Sequence, residues 1–467
     1  METRWKVSFI IAIAIAVCLQ LAAGELRRLI TLSRHGSRAP NYVTHTICPN
    51  NHANLQAYKV PPAQLTVNGM NQLVQVGKHI REIYVETQNF LSESFSGEKR
   101  LHFEAYFRAD AATRCAHSAE ALALGLYPFG SGPEGFPLQL VPVTMELLQH
   151  EHVFAAPKGP CKATLARDLA QYAQQKAPEL FQGEDKDVLD RLGAACGINM
   201  TDVPHLKGGE DLILAVKDIA DMLTFDQQEG LSPLPGLDTD TMKKVEQLGF
   251  RNLMERYYSS DRMITYWNGA FPDLLLKNLN DAARPNSPTS REYRYFSYHG
   301  HRELLHALGK LLGWEFHFNG LPEAMNTTSL EPGTTLFFEL HANKSDTNQE
   351  ESYFVRTFLY SPATARQQIK LSKCSQLDCP LLKFNRIIRN HIDRTGTWEA
   401  ICGYDEASQR FITSKSHLLD SKKPLPATGR SHVILYAVAG CILAIFAAFI
   451  VVQRVRRRGY RHLHRAA

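Results

Sequence analysis

Two uncharged apolar runs, one near each end, confine the soluble part of this 467-residue chain to the stretch between them. The first lies within residues 1–24, after the basic residues Arg4 and Lys6 and before a short run of small residues ending at Gly24. This order is typical of a secretory signal peptide cleaved near Gly24, with a retained signal anchor as the alternative. The second run, 433–452, has the length of a bilayer-spanning helix.

A basic segment, residues 453–467, follows the second run and carries six arginines. Positive charge beside a span marks the cytosolic side of a membrane. The pattern therefore predicts a single-pass type I protein with a lumenal part at 25–412, a polar stalk at 413–432 and a short cytosolic tail. Tyr460 begins a Tyr-x-x-apolar sequence of the kind that sorting adaptors bind, which predicts an endosomal or lysosomal membrane reached by way of the plasma membrane.

The net charge argues against a nucleic-acid partner once the two ends are set aside. The formal value is +5, the tail contributes six positive charges and the leader one net positive charge, so the remainder carries −2. A slightly acidic lumenal part lacks the basic surface that nucleic acids require.

Cysteines and glycosylation sequons agree with an oxidising lumen. No pair has the C-x-x-C spacing near histidines that zinc sites show, so the sequence predicts no metal. The cysteines between the two ends are seven, so at least one thiol is unpaired: Cys48, Cys115, Cys161, Cys196, Cys374, Cys379 and Cys402. Sequons begin at Asn199, Asn326 and Asn343.

Alternating strand and helix patterns predict an α/β fold. Strands are predicted near 26–32, 102–108 and 293–298, with a later hairpin of strands at 335–340 and 353–360. Helices are predicted at 64–84, 111–126 and 303–312, and the region 146–284 is richer in helix formers. We therefore predict an α/β core at 25–145 and 285–412 that is interrupted by a helical insertion at 146–284.

Basic residues follow three of the predicted strands, and the first group is the densest. Arg34, His35 and Arg38 lie within five positions, beside Gly36. A neutral imidazole nitrogen can accept a phosphoryl group near neutral pH, and guanidinium groups bind phosphate oxygens with paired hydrogen bonds. The glycine allows a ligand to approach the backbone. These residue types together predict metal-free phosphoryl transfer.

The stretch RHGSRAP at 34–40 resembles the signature of the histidine acid phosphatase family, in branch two of the histidine phosphatases. Further likeness lies in LTVNGMNQ at 65–72, FRADAATRC at 107–115 and the later hairpin, so the resemblance covers most of 26–405. It implies a phosphoglycerate-mutase-like sheet flanked by helices, small phosphomonoester substrates and no cofactor. It also implies that His35 is the nucleophile and that Arg34, Arg38 and Arg114 hold the phosphate.

The family's second histidine resembles His301, with His299 as the alternative. Family members carry an aspartate after it as the proton donor, whereas this chain has Arg302, which cannot donate a proton. Glu303 resembles the donor of some inositol-phosphate members. Three functions follow as hypotheses: an acid phosphatase, an inositol-phosphate phosphatase, and a weakly active or inactive glycoprotein that binds anions.

The resemblance also implies two disulfides, Cys161–Cys402 and Cys374–Cys379. Cys48 and Cys196 are left as a further pair or as separate thiols. The tail resembles that of a lysosomal membrane member of the family, and a homodimer is one open arrangement.

Overall fold

The computed structural model describes residues 24–95, 104–206, 211–284, 293–318, 321–323, 330–343 and 352–404. The predicted leader up to residue 23, the stalk, the span, the tail and Asn326 lie outside these ranges. Within the ranges no helix is long and apolar enough to cross a bilayer. The described residues, from 24 to 404, belong to one compact unit.

Ten strands in the described ranges form one sheet. They are β1 (Glu25–Arg34), β2 (Ala105–Ala109), β3 (Val143–Met145), β4 (Tyr295–Gly300), β5 (Trp314–Phe318), β6 (Leu321–Glu323), β7 (Thr335–Ala342), β8 (Tyr353–Ser361), β9 (Thr364–Leu371) and β10 (Cys379–Pro380). Their order is β3-β2-β4-β1-β7-β8-β9-β5-β6, with β10 paired to β8. The first four strands in that order run parallel, and β1 joins them to the antiparallel half through β7.

The described helices surround this sheet. They are α1 (Thr44–Ile47), α2 (His52–Ala57), α3 (Val67–Ile80), α4 (Thr113–Leu126), α5 (Lys162–Lys176), α6 (Gly183–Cys196), α7 (Leu212–Gln228), α8 (Thr239–Tyr257), α9 (Asp261–Asn268), α10 (Phe271–Ala283), α11 (Arg302–Leu312), α12 (Leu381–Thr395) and α13 (Trp398–Cys402). Short 3₁₀ turns lie at Pro49–Asn51, Ala177–Phe181 and Met200–His205, and a π-helical turn at Arg81–Thr87 extends α3.

Both faces of the central strand β1 are buried from Arg28 to Arg34, so its polar residues as well as its apolar ones lie inside the protein. Leu29 belongs to a core with α3 and α4, whereas Ile30 and Leu32 belong to a second core with α9 to α12. The α/β fold with a helix-flanked sheet is therefore confirmed.

The predicted elements differ from the observed ones mainly at their ends. Helix α4 begins at Thr113 rather than residue 111, because the chain first turns at Asp110 after β2. Helix α11 begins at Arg302, one residue before the predicted start. Thr66 caps α3 by accepting a hydrogen bond from the Gly69 amide. Helices α5 to α10 all lie between Lys162 and Ala283, and the domain boundaries near 145 and 285 stay predictions.

Candidate active site

Three neighbouring parallel strands, β1, β2 and β4, end at the same edge of the sheet. Arg34 pairs with Gly300, and Ala109 pairs with His299. The residues that follow each strand therefore meet in one place, as expected for the carboxyl edge of a parallel sheet. This edge brings together His35, Asp110 and His301.

His35 is 4% exposed and has one nitrogen committed to the backbone. Its Nδ1 donates to the carbonyl oxygen of Gly36 at 2.8 Å. Because a carbonyl only accepts, Nδ1 carries the proton and Nε2 holds a lone pair. Burial and then the charge of Arg114, followed by those of the other nearby cations, hold the pKa of His35 well below its usual range. The ring is therefore a neutral nucleophile at acidic pH.

Three arginines surround His35. Arg34 Nη1 donates to the Leu330 carbonyl, and Arg38 Nη1 donates to the Ala39 carbonyl at 2.9 Å. Arg114 comes from the first turn of α4. The buried Nε of each of the three has no hydrogen-bond partner in the part of the chain that the structure describes. Unpartnered buried donors are costly, so this set is prepared for an anion.

The second histidine at the site is His301, which follows β4. Its Nε2 lies 2.5 Å from Asp110 Oδ2, and its Nδ1 lies 3.4 Å from Arg114 Nη2. The ring centroids of His35 and His301 are 5.3 Å apart. The alternative, His299, is fully buried within the sheet, where its Nε2 bonds Ser297 Oγ at 2.8 Å. Only His301 reaches the cluster.

Arg302 and Glu303 occupy the first turn of α11. Arg302 Nη2 lies 2.6 Å from Asp221 Oδ1 on α7, and Lys217 Nζ lies 3.2 Å from the other oxygen of Asp221. Glu303 is partly exposed. Burial opposes its ionisation, but Lys217, Arg302 and other nearby cations hold the pKa of Glu303 well below its usual range. In the unliganded site Glu303 is therefore a carboxylate.

Helix α7 and the residue after it contact the nucleophile loop, residues 35–38, which follows β1. Nothing in the sequence indicated this contact. Glu229, just past the helix end, accepts hydrogen bonds from Ser37 Oγ at 2.6 Å and Thr66 Oγ1 at 2.7 Å. The Arg38 guanidinium lies 4.7 Å from the centre of the Phe225 ring. These contacts span more than 160 positions of sequence, so only folding reveals them.

Two glycines allow the nucleophile loop to approach α3. A Cβ atom at Gly36 would overlap the backbone of Gly69, and one at Gly69 would overlap the backbone of Ser37. Gly36 also donates from its amide to Ser118 Oγ at 3.3 Å, which ties the loop to α4. The loop is thus fixed from both helices on this face of the sheet.

Lys158 is a further cation near the site. Its side chain is exposed, and it has no hydrogen-bond or ion-pair partner among the described residues. Desolvation of its ammonium group by the surrounding protein and then the charge of Arg114 lower the pKa of Lys158, while Glu303 and Asp110 oppose that effect. Lys158 therefore lies within electrostatic reach of the cluster, at its solvent side.

A cavity of about 550 Å³ adjoins Arg34 and Arg302. Amide and carboxylate side chains supply most of its other polar groups: Asn68, Gln72, Asp221, Gln227, Gln228, Glu246 and Glu331. This lining offers both donors and acceptors to a neutral hydroxylated group.

One trio in the described ranges has the atom types and spacing of metal ligands: Asp110, Cys115 and His301, whose ligand atoms lie within 4.8 Å. The Asp110 and His301 atoms already bond each other, and the buried Cys115 thiol donates to the Gly300 carbonyl at 3.6 Å. Burial raises the pKa of Cys115 to about 12, so it is not a thiolate. We assign no metal to this trio.

Three disulfides connect six of the seven described cysteines: Cys48–Cys196, Cys161–Cys402 and Cys374–Cys379. Cys115 is unpaired. Two of the sequon asparagines, Asn199 and Asn343, are described and exposed.

Comparisons with known proteins bear on the family and the fold of this chain. The model of the histidine phosphatase superfamily, branch 2, matches residues 25–360. A lysosomal acid phosphatase of Xenopus laevis is 24% identical over 385 residues, which cover 81% of this chain and 79% of the frog protein. A phytase from Citrobacter braakii shares the fold, with a TM-score of 0.55, 16% identity and coverage of 79% of this chain and 98% of the phytase. A multiple inositol polyphosphate phosphatase from Bifidobacterium longum, crystallised with inositol hexasulfate, also shares the fold, with a TM-score of 0.53 and 10% identity. The match covers 78% of this chain and 92% of the bacterial protein.

Proposed function

The chain belongs to branch 2 of the histidine phosphatase superfamily, and we propose that it is an acid phosphatase that hydrolyses phosphate monoesters through a phosphohistidine at His35. One observation carries the proposal: the lone pair on His35 Nε2 lies among three arginines with unpartnered buried Nε donors. That arrangement places a nucleophile where the charge of a transferring phosphoryl group would be stabilised.

In the first step Nε2 attacks phosphorus, the P–O bond to the leaving group breaks, and the departing oxygen takes a proton. In the second step water attacks phosphorus, the N–P bond breaks, and the water proton passes to a base. We propose Glu303 as this acid and base, because it is partly exposed and adjoins His301. A bound phosphate dianion offsets the cations that keep Glu303 ionised, so binding raises its pKa and prepares it to donate.

Metal independence is part of the proposal, since arginines supply the positive charge.

A second candidate substrate class, inositol polyphosphates, is favoured by the exposed and unpaired Lys158, which would attract a second phosphate. The carboxylates of the adjoining cavity oppose additional negative charge there and favour a single phosphate on a hydroxylated group.

The cellular setting is proposed from the sequence and from the lysosomal relatives. We propose an endosomal or lysosomal location, anchorage by the 433–452 span and recognition of Tyr460 by sorting adaptors. Association into a homodimer is proposed without an assigned surface.

The test is turnover of p-nitrophenyl phosphate by the full-length chain in detergent, with and without a chelator. We expect chelator-insensitive turnover at acidic pH, loss of it in His35→Ala, and retention in the matched control His117→Ala on α4. Alkaline quenching, which preserves phosphohistidine, of a reaction with a radiolabelled phosphate monoester should trap label on the wild type and on His117→Ala, and none on His35→Ala. Absence of turnover by the wild type would leave the anion-binding glycoprotein as the function.

A further inference from the structure

Asp110 uses both of its carboxylate oxygens, and one of them determines the state of His301. Oδ1 accepts a hydrogen bond from the Ala111 amide at 2.7 Å, and Oδ2 lies 2.5 Å from His301 Nε2. Asp110 is 1% exposed, and although burial opposes ionisation, His301 and the other nearby donors lower its pKa to about 2. An ionised carboxylate only accepts, so the proton lies on His301 Nε2.

The opposite ring nitrogen then carries a lone pair where an anion would bind. Nδ1 lies 3.4 Å from Arg114 Nη2, one of the three proposed phosphate-binding groups. A phosphate oxygen beside Nδ1 of the neutral ring would be repelled, because both atoms present lone pairs. A second proton on the ring converts that repulsion into a charge-assisted hydrogen bond.

The groups around His301 explain why the second proton is absent before binding. Asp110 faces it from the end of β2, Arg114 and Cys115 from α4, and Lys158 from the loop before α5. His35 faces it from the end of β1, and Glu303 follows it on α11. Burial and then Lys158 and Arg114 lower the pKa of His301 to about 4, against the opposing effect of Asp110.

We propose that Asp110 is a positioning residue that fixes His301 as the Nε2–H tautomer, so that the site takes up one proton at His301 Nδ1 when it binds a phosphate-like dianion. The dianion offsets the positive charges of Arg114 and Lys158 and accepts a hydrogen bond from Nδ1. Asp110 then compensates the positive charge of the doubly protonated His301 ring. This inference rests on the proposed function, since it assumes that the arginine cluster binds phosphate.

Calorimetry with sulfate tests the coupling, because sulfate is a dianion throughout the acidic range and does not itself titrate there. Binding to the full-length chain at pH 5.5 is measured in buffers of different ionisation enthalpy, which yields the protons taken up per sulfate. Asp110→Asn keeps the acceptor for Ala111 and places an N–H donor against Nε2, so the proton moves to Nδ1 and the neutral ring can bind the anion. We expect uptake to fall by about one proton in this variant and in His301→Gln.

Proton uptake by His35 and by Glu303 is common to these proteins and cancels in the differences. The matched control is Glu151→Gln, which removes a fully buried carboxylate that pairs with Arg108 on β2 and does not touch His301. The proton uptake of Glu151→Gln should equal that of the wild type, and its sulfate affinity should decrease with rising pH as steeply as that of the wild type. In Asp110→Asn this decrease should be shallower.

The outcomes separate the two ideas. Equal proton uptake by the wild type, Asp110→Asn and His301→Gln overturns the coupling while leaving the phosphate site intact. Failure of the folded wild type to bind sulfate overturns the proposed function and this inference with it. If Asp110→Asn does not fold, the comparison of the wild type with His301→Gln decides the question.

Discussion

The guanidinium of Arg302 lies 2.6 Å from the carboxylate of Asp221, and both side chains are buried. The arginine that stands in place of the family's aspartate is therefore compensated by α7 and is not a free cation in the phosphate site. The neighbouring residue, Glu303, is partly exposed.

Removing the Asp221 charge should destabilise the fold. Asp221→Asn removes the carboxylate that is hydrogen-bonded to the buried guanidinium of Arg302, and loss of one partner of a buried pair costs about 3–5 kcal/mol. Urea unfolding measures this cost. The control is Asp261→Asn, which breaks an exposed pair with Arg394 and should cost less than about 1 kcal/mol. Equal costs for the two substitutions would show that Asp221 does not compensate Arg302.

Glu303→Gln should discriminate between leaving groups. Alkyl oxygens need a proton to depart, so turnover of an alkyl phosphate should fall by about 10²- to 10⁴-fold. Nitrophenolate departs without one, so p-nitrophenyl phosphate turnover should change far less. Glu303→Asp, which keeps the acid, should recover part of the alkyl-phosphate activity. Unchanged alkyl-phosphate turnover in Glu303→Gln excludes this residue as the donor.

The acidic limb of the pH profile should reflect His35. Its nucleophilic form is neutral, and because the folded pKa is lowered, the ring stays neutral at pH values well below the ordinary value of 6.5. The acidic limb of kcat/KM should therefore lie well below that value. In Arg114→Ala, which removes the largest charge acting on His35, the limb of the residual activity should move upward. Arg108→Ala, whose partner is Glu151, should leave it in place.

Lys158→Ala should affect substrates according to their charge. Loss of an exposed, unpaired cation should raise the KM of a bisphosphate several-fold and leave that of p-nitrophenyl phosphate nearly unchanged. Lys162→Ala, an exposed lysine four residues later, is the matched control. The bisphosphate effect should also diminish as salt is added, because exposed charges are screened. Equal effects on both substrates would remove Lys158 from any role in selecting polyanions.

The Cys48–Cys196 bridge should contribute more stability than the Cys374–Cys379 bridge. The two pairs are separated by 148 and 5 residues in sequence. On the loop-entropy model these separations correspond to about 5 and about 2 kcal/mol. Thermal unfolding of the two double-serine variants compares them. A larger loss from the short bridge would indicate that strain or packing, rather than chain entropy, dominates.

The sequence predicted the α/β class and placed Arg34, His35, Arg38 and Arg114 where the structure brings them together. Local residue types and spacing indicated Arg34, His35 and Arg38, because they follow a strand, whereas Arg114 was implied by the resemblance to the histidine acid phosphatase family. The sequence does not single out Asp110, four positions before Arg114, since a lone aspartate after a strand is ordinarily a turn residue. Asp221 and Glu229 could not be predicted, because their partners lie about 80 and 160–190 positions away and only tertiary packing selects them.

The mutual contact of Gly36 and the Gly69 region offers a criterion for judging distant relatives of this chain. Neither position tolerates a side chain while the nucleophile loop stays where it is. A homologue that keeps the arginines and the histidine but has a larger residue at either glycine must hold its loop further from the helix. Such a chain would keep the sequence signature without the geometry of the site. A glycine at the position of Gly69, 33 residues after Gly36, therefore indicates an intact site better than the signature alone.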